Sequence, residues 1–201
     1  MTAHDADTVS DVALVSACRT GDLAAFETLV ERHQRMMLNI AFRMTGVYED
    51  ACDIVQDAFI AAWRKIGDYR GESKFSTWLT AIVINLSRNR LQQLHQRARR
   101  EAYSLNAPLP GGDDERTPDP PSGARSVLDL LEEAELRTSL RHCIEALTPE
   151  FREVLVLRDM QELSYEEVGA ALKLREGTVK SRLFRARDAV KECIKKAVAT
   201  I

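Results

Sequence analysis

The chain has 201 residues, 45% of them hydrophobic and 29% charged, with a formal net charge of −3. That length supports one good core or two small ones, the composition is that of a soluble globular protein, and no window approaches the roughly 18 uninterrupted apolar residues of a membrane span. The average charge argues against a general nucleic-acid binder, but the charges are unevenly placed.

The N-terminus "MTAHDADTVSDVALVSACRTGD" has early acids and no basic segment ahead of an apolar run. A secretory signal is not expected, and the chain is expected in the cytoplasm. A short helix is expected at about 11–19. Leu23, Phe26, Leu29, Val30, His33, Met37, Ile40, Ala41 and Met44 then repeat at helical spacing between Gly21 and Gly46. A lone His33 on that stripe reads as a packed residue rather than a ligand. Ile54, Val55, Ala58, Phe59, Ala62, Trp63 and Ile66 form a second stripe. A third helix is expected from near Ser76, a candidate cap, through Leu79, Ile82, Val83 and Leu86. Residues 81–100 carry Arg88, Arg90, Arg97, Arg99 and Arg100 and no acid.

Prolines 108, 110, 118, 120 and 121 and Gly111, Gly112 and Gly123 follow in "NAPLPGGDDERTPDPPSGA", which has too little apolar surface to order itself. An acidic, flexible linker at 101–126 therefore divides two small domains, 8–100 and 127–198. In the second, a helix is expected at about 127–147. Thr148 and Pro149 open another to about 161, and the capping box "SYEE" at 164–167 starts a short one ending near Lys173. The last begins near Thr178. Nothing alternates with period two, so the class is all-α.

Cys18, Cys52, Cys143 and Cys193 are widely spaced with no C-x-x-C pair. They are expected as reduced thiols in or near cores, and neither a metal nor a cofactor is expected. His142 beside Cys143 adds nothing, because sequence neighbours on a helix diverge.

A short capped helix, a turn and a basic helix form a helix-turn-helix pattern. Gly169 lies ten residues before Val179, which suits the close crossing of the two helices; Lys173 occupies a turn position where glycine is common. On a helical wheel Leu183, Ala186 and Val190 lie within about 40° of Val179. Lys180, Ser181, Phe184 and Arg185 span the opposite arc, with Arg182 and Arg187 beside the stripe. That arc contains no acid before Asp188, and Phe184 on it has no reason to face water. Bases for phosphates and guanine edges, with a ring for sugar or thymine methyl contact, suit a DNA groove. In the first domain, Trp78, Ala81, Asn85 and Arg88 share one side of the third helix, below the loop containing Tyr69, Arg70, Lys74, Phe75 and Ser76. These suit unstacked bases, although Phe75 and Trp78 equally suit closing the core.

The segments "DIVQDAFIAAWRKI" (53–66), "YRGESKFSTWLTAIVINLSRNR" (69–90) and "LTPEFREVLVLRDMQELSYEEVGAALKLREGTVKSRLFRARDAV" (147–190) resemble bacterial sigma factors of the extracytoplasmic-function group, sigma E type. The resemblance implies two helical domains, sigma-2 and sigma-4, no enzymatic activity and no small-molecule substrate. It implies binding to core RNA polymerase at its clamp helices and flap, and to promoter DNA. It also implies an anti-sigma partner, membrane-anchored in some cases, in a stress or envelope response. By motif position it assigns Asp53, Gln56, Asp57, Phe59 and Trp63 to polymerase binding. Tyr69, Arg70, Lys74, Phe75, Trp78, Asn85, Arg88 and Asn89 go to the −10 element, and Thr178, Lys180, Ser181, Arg182, Phe184 and Arg185 to the −35 element. Arg175 and Glu176 stand where relatives often have a proline or apolar residue, and Glu176 opposes a phosphate at the helix start. Two rivals differ in testable ways: a plain helix-turn-helix regulator has no use for the 53–66 block, and an RNA-binding module would use the arginines of 88–100. No nucleophile–base set, carboxylate pair or phosphate loop suggests an enzyme.

Overall fold

The computed structural model describes residues 9–103 and 127–198, and every regular element among them is helical. The first unit contains α1 (Asp11–Arg19), α2 (Leu23–Thr45), α3 (Tyr48–Lys65) and α4 (Phe75–Tyr103), with one 3₁₀ turn at Ile66–Asp68. Ser10 Oγ accepts from the Ala13 N–H at the start of α1, and Asp22 Oδ1 accepts from Ala24 and Ala25 at the start of α2. Gly46 ends α2 in the left-handed region at φ 76°, which only glycine adopts freely. Pairwise packing of α2, α3 and α4 buries Leu29, Met37, Ile40, Met44, Leu79 and Val83. The expected cap at Ser76 is corrected. The Trp78 N–H bonds to the Lys74 carbonyl at 3.0 Å, so α4 begins at Phe75 and Ser76 lies in its first turn.

The second unit contains α5 (Val127–Glu145), α6 (Pro149–Leu155), α7 (Tyr165–Leu172) and α8 (Glu176–Val198). Thr148 and Pro149 open α6 as expected, and the reciprocal Ser164–Glu167 bonds complete the capping box of α7. After α6 the backbone widens into a π turn over Val156–Met160, with the Gln161 N–H reaching back to the Val156 carbonyl. The expectation of four reduced cysteines is corrected too. Cys143 of α5 and Cys193 of α8 form a disulfide, while Cys18 and Cys52 are free. Packing of α5 against α8 brings together residues 50 positions apart, which spacing alone does not reveal. Burial pushes the Cys18 thiol up.

The two units pack together directly. α4 lies along α7, and the C-terminal part of α2 touches α5, α6 and the π turn. Arg152, buried at 8% exposure, is the joint. It donates to the carbonyls of Ile144, Glu145 and Leu147 at the α5–α6 corner, and to Met44 of α2 at 2.6 Å. Its burial lowers the guanidinium pKa. The expected linker overlaps α4 up to Tyr103, and its remainder, 104–126, lies outside the described residues.

Candidate nucleic-acid interface

The geometry of α7 and α8 follows from small residues and left-handed turns. Lys173 takes φ 56° and ψ 45° at the end of α7, the conformation for which glycine is usual. Gly169 is required less by the crossing with Val179 than by the turn itself. A Cβ there would sit 2.8 Å from the Leu174 carbonyl oxygen. Val179, Leu183 and Ala186 are fully or almost fully buried, and Val190 is half-buried, as the wheel predicts.

On the opposite arc Phe184 is 74% exposed. Thr178 is half-buried, and Ser181 is exposed with its Oγ donating to the Thr178 carbonyl. The bases differ from expectation in one respect, because acids do meet them. Lys180 pairs with Glu176 at 2.6 Å, which raises its pKa, and its ammonium lies 5.3 Å from the centre of the Tyr165 ring. Arg182 pairs with Glu150 of α6 at 2.9 Å, and Arg187 forks onto both Asp159 oxygens. Counting acids along α8 alone missed the two supplied by neighbouring elements. Among these four bases Arg185 has no hydrogen bond or ion pair to any described residue. A solvated guanidinium next to an exposed ring is the part of the surface open to a ligand.

The second residue set is divided by burial. Tyr69 and Phe75 are core residues, with their rings in a cluster with half-buried Trp78 and His33. The Tyr69 hydroxyl donates to the Ser73 carbonyl at 2.5 Å, fixing the loop, and burial raises the phenol pKa. Arg70, Asn85 and Asn89 are exposed. Arg88 and Lys74 are occupied by the other unit. Arg88 donates from Nε and Nη2 to the two oxygens of Glu153, both at 2.5 Å, and Lys74 reaches Glu167 at 2.8 Å. The Glu153 side chain is 2% exposed. Two cations suited to DNA phosphates therefore face two carboxylates of the same chain. Sequence reading missed Glu153 and Glu167 as partners because each lies more than 60 residues from its cation; only the tertiary packing joins them.

The third set lies on α3. Asp53, Gln56 and Asp57 are exposed, while Phe59 is buried and Trp63 half-buried against Phe26. Ile60, one turn after Gln56, is 42% exposed and completes the strip with an apolar residue that the sequence reading left out. Finally, a groove of about 750 Å³ runs between α5 and α8. Leu140, Ile144, Leu155, Met160, Val190 and Ile194 line it.

Residues 29–101 match the family described as Sigma-70 region 2, and residues 137–190 that described as Sigma-70, region 4. The chain is 33% identical over 184 residues to the RNA polymerase sigma-H factor of Pseudomonas aeruginosa, covering 92% of this chain and 93% of that protein. It is 34% identical over 185 residues to the ECF RNA polymerase sigma-E factor of Escherichia coli strain K12, covering 90% and 93%. Among solved structures, CnrH in complex with the cytosolic domain of CnrY superposes with a TM-score of 0.63 at 25% identity, covering 92% of this chain and 97% of that one. The sigma factor RpoE of Bartonella quintana, solved with the anti-sigma factor NepR, shares the fold. Its TM-score is 0.61 at 22% identity, over 85% of this chain and 96% of that one.

Proposed function

Because the chain belongs to the sigma-70 family, in its extracytoplasmic-function group, we propose that it selects promoters by position, through two DNA-facing surfaces that polymerase sets at a fixed distance. The family consists of non-enzymatic transcription factors, and the chain is an initiation factor that binds core RNA polymerase and directs it to promoters. No helix among the described residues is long and apolar enough to cross a membrane, consistent with a factor acting beside polymerase.

The proposed division places region 2 at 8–100, a flexible acidic linker at 101–126 and region 4 at 127–198. Region 4 reads the −35 element with Thr178, Lys180, Ser181, Arg182, Phe184 and Arg185. The exposed pair Phe184 and Arg185, opposite the buried stripe of α8, is the observation that supports this most directly. Arg182 and Lys180 must exchange Glu150 and Glu176 for DNA groups, so their contribution is a difference between two ion pairs rather than a whole one. Region 2 takes the −10 element through Arg70, Lys74, Trp78, Asn85, Arg88 and Asn89. Tyr69 and Phe75 hold the loop in place from the core. The exposed strip Asp53, Gln56, Asp57 and Ile60 meets the clamp helices, with Phe59 and Trp63 as its internal support. The apolar groove between α5 and α8, rimmed by Arg187, Lys191 and Lys195, suits an amphipathic helix of the flap.

The closed arrangement is the inactive form in this reading. Glu153 and Glu167 hold Arg88 and Lys74 away from a promoter. Polymerase must separate the units before either cation meets phosphate, and an anti-sigma factor has only to stabilise the closed form. The deciding experiment is in vitro transcription with purified core polymerase, this chain and a library of upstream sequences. Enrichment of one paired −35 and −10 motif supports the reading. Start-site choice that is the same with and without the chain refutes it.

A further inference from the structure

The disulfide between Cys143 and Cys193 has no part in the contacts just described, and its surroundings are asymmetric. Cys143 is 2% exposed, next to buried Ile144 on α5. Cys193 is half-buried, on the last turns of α8, where Arg187 pairs with Asp159 and Val190 packs against the core. Ala186 is the last buried residue among the described side chains of that helix, and none of residues 187–197 is buried. Over those three turns only Val190, Cys193, Ile194 and Ala197 are even half-buried. The rest of α8 is anchored by Val179, Leu183 and Ala186. The covalent bond thus ties the end of α8 to α5 where burial does not, and these two helices both line the apolar groove.

A factor that works beside RNA polymerase works where thiols are kept reduced, and disulfides in such a compartment are mostly transient or redox-sensing. We propose that Cys143 and Cys193 form a reversible thiol–disulfide site that sets whether the end of α8 is fixed or frayed, and so whether the groove keeps its shape. The inference rests on the reading above for its consequence, the grip of polymerase on region 4, but not for its chemistry.

In the opening step the thiolate of a low-molecular-weight thiol attacks Sγ of the more accessible Cys193. The Cys143–Cys193 bond breaks, a mixed disulfide forms on Cys193, and Cys143 leaves as a thiolate that takes up a proton. A second small thiol attacks the mixed disulfide, releasing the Cys193 thiol and the oxidised small disulfide. Two electrons pass from two thiols to one disulfide, and the same small disulfide reverses both steps. With the bond closed, the groove is pre-organised and a partner helix is bound without first ordering α8. With the bond open, the partner must pay that ordering cost.

The test uses the full chain equilibrated in glutathione buffers from fully reduced to fully oxidised, with acid quenching, thiol alkylation and peptide mass analysis. The Cys143–Cys193 linkage is expected to titrate within that range, with Cys18 and Cys52 remaining alkylatable. Amides of 188–197 are expected to exchange at least about tenfold faster in the reduced chain, and Cys193→Ser should exchange fast in both buffers. The oxidised chain should bind core polymerase roughly tenfold more tightly than the reduced chain. A linkage that never forms, one that survives every buffer, or exchange at 188–197 indifferent to redox state overturns the site. Equal polymerase binding by both forms overturns its consequence. Failure of both forms to bind polymerase instead sinks the reading of function, and the linkage titration still stands apart from it.

Discussion

Arg185 and Phe184 face solvent while Lys180, Arg182 and Arg187 are each held by a carboxylate, and this difference ranks their effects. Arg185 gives up no protein partner when it meets a base edge, so its contribution is undiluted. Arg185→Ala is expected to weaken holoenzyme binding at the −35 element by about 1–3 kcal/mol and to relax preference at one base position. Competition binding on a matched promoter and on single-base variants checks it, and an equal loss on every sequence would reassign Arg185 to phosphate. Gly169 makes a separate case inside the fold. Alanine normally gains up to about 1 kcal/mol over glycine within a helix. Here its methyl would lie 2.8 Å from the Leu174 carbonyl, which is backbone and cannot swing aside. Gly169→Ala is therefore expected to destabilise the chain by about 1–3 kcal/mol, read as a lower denaturation midpoint. A neutral or stabilising result would mean that the turn after α7 yields more easily than its left-handed Lys173 suggests.

At the scale of helices, α3 presents residues 53, 56, 57 and 60 to solvent in the i, i+3, i+4, i+7 pattern of a single face. Ile60→Arg leaves the core untouched and is expected to shift stability by less than about 0.5 kcal/mol. On the clamp-helix reading it should weaken polymerase binding by tenfold or more. A circular-dichroism melt beside a core-binding assay separates the two effects. Helical spacing made α2, α3 and the buried stripe of α8 legible in advance, because an amphipathic face repeats along the chain and needs no partner to be recognised. Capping did the same for α7, where Ser164 and Glu167 are three residues apart. The failures share the opposite property. Cys143 and Cys193, Arg88 and Glu153, and Lys74 and Glu167 are pairs made by packing, with nothing in their local spacing to mark them. The same limit explains the site residues. Tyr69 and Phe75 carry the chemistry of a stacking platform, and only tertiary packing, with His33 of α2 against Phe75 and Arg19 of α1 on the Tyr69 carbonyl, makes them core instead.

For the molecule as a whole, the proposed opening of the two units would have to break the charge-assisted contacts between them, and these respond to substitution and to pH in different ways. Glu153 is buried and accepts both arms of Arg88. Glu153→Gln keeps its shape and removes the charge, which weakens closure by about 2 kcal/mol and shifts the equilibrium roughly thirtyfold toward open. Fluorescence transfer between labels on the two units should fall, and binding of −10 single strand by the chain without polymerase should rise. Unchanged transfer would mean that Arg152 and the apolar contacts hold the units together without this pair. Glu167 supplies the pH dependence. The hydrogen bond from Lys74, followed by that from the Ser164 backbone N–H, holds its carboxyl below the usual carboxylate range, and the same contact raises the Lys74 ammonium. A depressed carboxylate contributes fully above its unfolded value, near 4.3, and the contribution is lost as pH falls through the lowered folded value. The raised Lys74 stays protonated throughout the neutral range, so this contact is insensitive to pH between about 6 and 8 and fails in acid. Glu167→Gln isolates it, because glutamine still serves the capping box with Ser164 and cannot form the ion pair. The wild type should be more closed than this variant at neutral pH, and the two should converge once pH falls below the lowered value of Glu167. A difference that persists at lower pH would mean that the ion pair with Lys74 is not what separates the two chains.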